Sequence, residues 1–233
     1  MFVDQAVRSG ALVAEERRQA SVLLLLSEFL VPSLRLVLEE GERVQAILTH
    51  LQTHVLVPYW RNAPLRRTAH GGAFMKLMER LVRVPSATRL WRKDAWEMFL
   101  DASFFPLGRF STPRTYANIV QVACAADRDR MADLLARMAP SQTAALFTSS
   151  RESEAESRCA LLKRVSFVLL GGQVDEYVKL LPIISEKIVE LLRIGLIWTL
   201  EETLRCLSVM LIKFSHKHLV SQWPIVLTEL VRH

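Results

Sequence analysis

A cluster of basic side chains between residues 61 and 93 is the part of this 233-residue sequence with the clearest chemical potential. The segment carries nine basic side chains and one acidic side chain, whereas the net charge of the whole chain is +6. Most of the nine are arginines, whose planar guanidinium groups bind phosphate and carboxylate oxygens with two hydrogen bonds. The composition therefore predicts an anion-binding surface. Its members are Arg61, Arg66, Arg67, Lys76, Arg80, Arg83, Arg89, Arg92 and Lys93.

Several kinds of anion fit such a cluster. Near an anionic membrane each cation adds about 1 kcal/mol of attraction, and an acidic protein segment or a nucleic acid is attracted in the same way. The segment lacks the spaced aromatic side chains on which single-stranded bases stack, so we expect no nucleic-acid partner. Trp60 remains a candidate interfacial anchor beside Arg61. Without any ligand, the same cations would form a solvated face that pairs with carboxylates elsewhere.

Other reactive side chains lack the neighbours that catalysis or metal binding requires. His50 and His54 are four residues apart, but no cysteine or carboxylate completes a metal-ligand spacing. Glu152, Glu154 and Glu156 fan around a helix axis, where negative charge near the helix start is favourable. The sequence contains no phosphate-binding loop, dinucleotide fingerprint, zinc-protease motif or nucleophile elbow. We therefore expect no enzyme, no cofactor and no metal.

The cysteines and the apolar runs indicate a reduced setting without a membrane span. Cys124, Cys159 and Cys206 lie far apart and form no C-x-x-C pair, which predicts buried free thiols. The apolar runs 22–26 and 194–200 are far shorter than the roughly 18 residues of a spanning helix. The N-terminus lacks the pattern of a signal peptide. These features predict a soluble or peripheral protein.

Apolar residues recur at intervals of three and four along almost the whole chain, which predicts helices. We expect nine or ten helices, arranged as a HEAT-like α-solenoid or an elongated helical bundle. Pro32 is expected to end or kink a helix, and Pro113 to open one. The pair at 171–172 is expected to stop a helix, because both residues are glycine. Pro182 predicts a kink or a new helix start.

The breaks in periodicity divide the chain into four segments of one continuous solenoid. N-terminal helices cover residues 1–57, and the Pro- and Gly-containing segment 58–72 is predicted as a connection. Helical repeats follow at 73–150, with the basic segment at their start, and at 151–233. The sequence stops inside an apolar helical pattern, so we expect it to be a piece of a longer protein.

Four stretches of the sequence resemble the C-terminal region of the Dopey family. They are HVLVPYWRNAP at 54–64, LWRKDAWEMFLDASFF at 90–105, RESEAESRCALLKRVSFVLLGGQVDEYVKLLPIISEKIVELLR at 151–193, and LRCLSVMLIKFSHKHLVSQWPIVLTELV at 204–231. The third and fourth together are the most specific. The resemblance covers residues from about 44 to 233, and the sequence before residue 44 departs from the family pattern.

The resemblance implies a function that composition and periodicity do not reveal. Dopey proteins are very large peripheral proteins of the trans-Golgi network and endosomes, where they act in retrograde traffic as non-catalytic scaffolds. The implied partners are a large Arf-exchange-factor-like HEAT scaffold, a phospholipid flippase and kinesin-1, and phosphoinositide binding is implied as well. The family assigns no catalytic residues, so none are carried over. An adaptor that binds only protein, without lipid contact, remains the alternative.

Overall fold

The structure is a computed structural model in which eleven helices and no strand occur among the residues it describes. This confirms the predicted all-α class, and the architecture is consistent with a helical solenoid. The helix count exceeds the predicted nine or ten because one short helix of four residues stands alone near the C-terminus. The described residues are 14–15, 17–37, 41–61, 69–102, 104–105, 113–127, 129–139 and 148–232.

The helices fall into two compact units, Met1–Ala126 (unit 1) and Asp127–His233 (unit 2). This grouping does not test the four predicted segments, whose boundaries stay predictions. Unit 1 contains α1 (17–37), α2 (41–61), α3 (Ala69–Leu81), α4 (Thr88–Leu100) and α5 (Pro113–Ala125). Unit 2 contains α6 (Arg130–Ala136), α7 (Thr148–Gly171), α8 (Leu181–Leu192), α9 (Ile197–Lys213), α10 (His216–Leu219) and α11 (Trp223–Val231).

Two prolines lie inside continuous helices because each follows a widened turn. Leu26–Leu30 is a π-helical turn within α1, and Pro32 comes two residues after it. Gln52–Leu56 is a π-helical turn within α2, with Pro58 two residues further on. A proline ring normally clashes with the carbonyl four residues earlier, and a π turn moves that carbonyl out of register. Helix α1 therefore does not end at Pro32, contrary to one of the two outcomes predicted.

Three of the other proline and glycine predictions are confirmed. Helix α5 begins at Pro113, α7 ends at Gly171, and Pro182 occupies the first turn of α8. The segment 58–72, predicted as a connection, is helical at both ends, since α2 runs to Arg61 and α3 begins at Ala69. Its middle, 62–68, lies outside the described residues.

An aromatic cluster forms part of the core of unit 1. Tyr59 stacks on Phe74 with ring centroids 3.5 Å apart, and Trp60 meets the same ring edge-on at 4.9 Å. Tyr116 of α5 joins Trp60 and Phe104 in further edge-to-face contacts. Trp60 is only 4% exposed. It is therefore a core residue, and the idea that it serves as an interfacial anchor is wrong.

Unit 2 is built around the pairing of α7 with α9, which is its most extensive helix contact. Helix α8 packs against both of them and against α11. The buried faces are lined by small and branched apolar residues, such as Val165, Val168 and Ile188. Close packing of these side chains supplies the main stabilisation of the unit.

Candidate anion-binding surface

Helix α3 presents a narrow basic edge because the rest of its circumference is buried. Phe74, Leu77 and Met78 are completely buried, and they anchor the helix to the core of unit 1. Lys76 and Arg80 are exposed on the opposite side, at the four-residue spacing that places two side chains on one face. The apolar majority of α3 thus fixes the direction in which its cations point.

Further exposed cations follow in the turn after α3 and on α4. The last turn closes with hydrogen bonds from the Arg83 and Val84 amides to carbonyls of α3, at 3.1 and 2.9 Å. Trp91 in α4 is completely buried, which leaves Arg89 and Lys93 exposed on the outer side of that helix. Within the described residues, we define the basic surface of unit 1 as Lys76, Arg80, Arg83, Arg89, Arg92 and Lys93.

Two members of the basic surface have carboxylate neighbours on their own helical turns. The guanidinium of Arg83 lies 3.3 Å from the carboxylate of Glu79, and the ammonium of Lys93 lies 3.9 Å from that of Glu97. All four side chains are largely exposed, from 48% to 81%. Exposed pairs of this kind contribute about 0.3–0.5 kcal/mol at most. A stronger anion would therefore displace these carboxylates at little cost.

Two other members are held in place by neutral oxygen atoms. Arg89 donates a hydrogen bond of 3.1 Å to the side-chain amide oxygen of Gln45 in α2. Arg92 donates one of 3.2 Å to the backbone carbonyl of Ala126. These contacts restrict the two guanidinium groups, and the amide oxygen that holds Arg89 carries no charge. Ordered cations lose less side-chain entropy when an anion binds.

Lys76 and Arg80 form no ion pair with any residue in the described part of the chain. Both are on the exposed edge of α3, one helical turn apart. An anion approaching this edge would meet these two cations together. This arrangement suits a surface carrying many negative charges rather than a single small ion.

The structure brings six of the nine predicted residues onto α3, α4 and the turn between them. The side chain of Arg61 and the residues Arg66 and Arg67 lie outside the described part, so their role stays a prediction. The contact between Arg89 and Gln45 had no signal in the sequence, because the two residues are 44 positions apart. The pairing of Arg83 with Glu79 follows the i, i+4 rule and was readable from the sequence.

The other candidates from the sequence are less reactive in the structure. The rings of His50 and His54 stack with centroids 5.7 Å apart. The three cysteines are free and buried, as predicted. Burial raises the pKa of Cys159 to about 11 and that of Cys206 to about 12, with the nearby carboxylate of Glu202 adding to both shifts. Thiols with such pKa values are poor nucleophiles at neutral pH.

The described residues contain neither of two further kinds of site. Within the described ranges, histidine, cysteine, aspartate and glutamate side chains form no group of three or more that could hold a metal ion. Among the helices described, none combines the length and the apolar character needed to cross a membrane.

Comparison with known proteins identifies the family. A family model described as DOP1 C-terminal matches residues 4–233. The chain is similar to protein DOP1B of Xenopus laevis, with 28% identity over 233 residues that cover 98% of this chain and 10% of that protein. Identity is 30% over 197 residues with the DOP1 homolog of Drosophila pseudoobscura pseudoobscura, covering 83% of this chain and 7% of that protein.

A third relative, protein pad-1 of Caenorhabditis elegans, is 27% identical over 195 residues, covering 83% of this chain and 8% of that protein. The chain thus spans about a tenth or less of the length of these relatives. No solved structure matches it. The family match begins at residue 4, well before residue 44, where the sequence resemblance began. The resemblance is confirmed: the chain belongs to the Dopey (DOP1) family and matches its C-terminal region.

Proposed function

We propose that this chain is a non-catalytic scaffold segment of Golgi and endosomal membrane traffic that holds an anionic membrane through its basic surface. The observation that carries the proposal is the edge of α3 and α4, where Lys76 and Arg80 have no ion-pair partner among the described residues. Family membership supports the trafficking role. A relative such as DOP1B is about ten times longer than this chain, so we extend the activities of such proteins to this chain only as proposals.

The physical basis of the membrane contact is the additive attraction of several cations. Each lysine or arginine near a negatively charged leaflet contributes about 1 kcal/mol. Six such residues would give a measurable affinity for an anionic membrane even if only half of them contacted the lipid. Because the attraction is electrostatic, it must weaken as salt shortens the screening length. A phosphoinositide headgroup, which carries more charge than phosphatidylserine, would be held most strongly.

The implied partners and location complete the proposal. The resemblance supports a cytoplasmic position at the trans-Golgi network and endosomes, with a large Arf-exchange-factor-like HEAT scaffold, a phospholipid flippase and kinesin-1 as partners. A chain of packed helices offers a long surface for several proteins at once. No residue on the described surfaces is assigned to any of these partners.

The alternative, an adaptor that binds only proteins, is favoured by one observation on α9. Ile197, Leu204 and Leu211 repeat every seven residues and are 86%, 45% and 59% exposed. Leu207 of the same helix and Phe214, just after its end, are buried in the core instead. A partner helix with a matching apolar stripe would cover the exposed residues. On this alternative, the basic surface would face an acidic protein.

Sedimentation with vesicles tests the proposal. The chain would be mixed with vesicles of neutral lipid, of neutral lipid with phosphatidylserine, and of neutral lipid with phosphatidylinositol 4-phosphate, across a salt series. We expect binding only to the two anionic compositions, strongest with the phosphoinositide and lost at high salt. Absence of binding to all three at low salt would contradict the membrane role and leave the protein-only adaptor.

A further inference from the structure

A short turn joins α3 to α4 between the cations of the basic surface. Val84 is extended, with φ −105° and ψ 100°, and Pro85–Ala87 forms a single 3₁₀ turn that leads into α4. The Ala87 amide closes this turn with a hydrogen bond of 3.0 Å to the Val84 carbonyl. Val84 and Ala87 are buried, whereas Pro85 and Ser86 are exposed. The Ser86 hydroxyl therefore lies at the surface of unit 1.

This hydroxyl has no visible role in the fold. Ser86 makes no side-chain hydrogen bond with any of the residues that the structure describes. Serine often caps the start of a helix, but no side chain caps the N-terminus of α4, where Ala87 occupies the cap position. A serine that folding does not use is available for modification.

The residues before Ser86 fit the recognition pattern of a basophilic protein kinase. Arg83 stands three residues before the serine, and Arg80 stands six residues before it. Kinases of this class hold an arginine at the third position before the acceptor with carboxylates of their own. The acceptor hydroxyl must also reach the γ-phosphate of ATP in line with the leaving oxygen, so its segment has to leave regular helix.

The same spacing occurs at two other described serines, and the structure separates them from Ser86. Ser21 follows Arg18 in α1, and Ser208 follows Arg205 in α9. Both serines lie within helices, and their hydroxyls donate to the carbonyls four residues earlier at 2.9 Å. A kinase would have to unwind part of a helix to reach either one, whereas opening the turn at Ser86 leaves both flanking helices in place. The structure thus favours one acceptor of the three.

We propose that Ser86 is phosphorylated by a protein kinase that recognises an arginine three residues before the acceptor, and that the phosphate releases the basic surface from anionic membranes. In this transfer the Ser86 Oγ forms a bond to the γ-phosphorus of ATP. The bond from that phosphorus to the bridging oxygen breaks, and its electron pair leaves with ADP. The hydroxyl proton passes to the catalytic base of the kinase. The inference rests on the proposed function and adds regulation of the same surface.

The position of the phosphate explains its effect on the surface. It would carry about two negative charges, three residues from both Arg83 and Arg89. Arg83 pairs with the exposed carboxylate of Glu79 at 3.3 Å, and a phosphate would compete for the same guanidinium. Negative charge just before the first turn of α4 is also favourable for the helix dipole, so the fold should be retained. The modification would change the charge of the surface rather than its structure.

Phosphorylation of the folded chain tests the site. Calcium/calmodulin-dependent protein kinase II, which prefers an arginine at this position, would be incubated with the chain, Mg²⁺ and ATP, and mass spectrometry would locate the phosphate. We expect phosphate at Ser86, none at that position in Ser86→Ala, and incorporation about tenfold slower in Arg83→Gln, which lacks the charge the kinase binds. Ser208→Ala is the matched control and should be modified at Ser86 like the natural chain.

Sedimentation with phosphatidylserine vesicles tests the consequence. The chain phosphorylated at Ser86 should bind roughly thirtyfold more weakly than the unmodified chain, because the phosphate offsets about two cations. Ser86→Ala treated with the kinase corrects for phosphate elsewhere. Ser86→Asp adds one negative charge and should weaken binding about fivefold, whereas Ser208→Asp adds the same charge in unit 2 and should stay within about twofold of the natural chain. Circular dichroism would verify that the variants fold.

The outcomes distinguish this inference from the proposed function. If the kinase leaves Ser86 unmodified, the inference is overturned and the membrane contact stands. If Ser86 is phosphorylated but vesicle affinity does not change, the release of the membrane is contradicted, again without affecting the contact itself. If the unmodified chain binds no anionic vesicle, the proposed function fails, and the release fails with it.

Discussion

In unit 1 five of the six cations of the basic surface are exposed to solvent, whereas in unit 2 carboxylates hold cations between helices. Glu190 of α8 binds Arg158 of α7 and also Lys187, whose ammonium lies 2.8 Å away. Glu229 of α11, only 6% exposed, accepts hydrogen bonds from Arg193 at 2.9 and 3.2 Å. No contact of this kind occurs at Lys76 or Arg80 within the described residues.

The difference shows that the number of charges in a segment does not determine their use. In unit 2 the paired charges connect neighbouring helices, and removal of one partner would leave the other charge uncompensated. In unit 1 the charges contribute little to folding, because exposed cations interact weakly with their neighbours. A surface that folding does not require is free to serve a ligand. This is the physical reason for assigning the anion to unit 1.

Breaking the Glu190 network should produce the largest effect. Glu190→Ala removes the carboxylate that binds Arg158 and the nearer of the two carboxylates beside Lys187, whose side chains are 9% and 11% exposed. We expect the free energy of unfolding to fall by about 3 kcal/mol, measured by urea denaturation. Glu186→Ala is the control: it lies 3.6 Å from Lys187 but is 63% exposed, so its removal should cost less than about 0.5 kcal/mol. Equal losses in the two variants would contradict the comparison.

Lowering the pH should lower the free energy of unfolding of unit 2, because two of its carboxylates become protonated. Hydrogen bonds from the Ser215 hydroxyl and amide lower the pKa of Asp175 from its ordinary 3.8, and a hydrogen bond from Arg193 lowers the pKa of Glu229 from 4.5. Because the folded-state pKa values are depressed, their stabilisation is complete above the ordinary values and is lost as pH falls through the folded ones.

The measurement is the free energy of unfolding from neutral pH down to about pH 3. The double variant Asp175→Asn with Glu229→Gln should be less stable than the natural chain near neutrality and should lose less stability on acidification. If the free energy of unfolding of the double variant depends on pH as that of the natural chain does, protonation of these two carboxylates does not control the stability of the fold.

Much of the fold was readable from the sequence because it depends on local rules. The starts of α5 and α8 at prolines and the end of α7 at Gly171 follow from backbone chemistry that each residue carries with it. The sequence did not predict that α1 continues through Pro32 and α2 through Pro58. Single-residue rules predict a break there, and the π turns that accommodate the prolines have no compositional signature.

The candidate site was readable in its composition but not in its geometry. The basic segment was identified from its charge, because its cations lie close together in the sequence. Charge alone could not show that Gln45 orients Arg89, or that Arg158 meets Glu190, because these pairs are 44 and 32 residues apart.

The most direct test of the central claim compares two triple variants with the same net charge. Lys76→Gln, Arg80→Gln and Arg83→Gln change the basic surface. Arg137→Gln, Arg205→Gln and Arg232→Gln change exposed cations of unit 2, and both sets lower the formal charge by three. Sedimentation with phosphatidylserine vesicles at low salt is the measurement, with circular dichroism to verify folding.

We predict that the unit 1 variant loses roughly a hundredfold in vesicle affinity, since three cations at about 1 kcal/mol each are removed. The unit 2 variant should keep an affinity within a few-fold of the natural chain. Equal losses in both variants would mean that net charge alone draws the chain to the membrane. That result would contradict the assignment of the anion to the basic surface of unit 1.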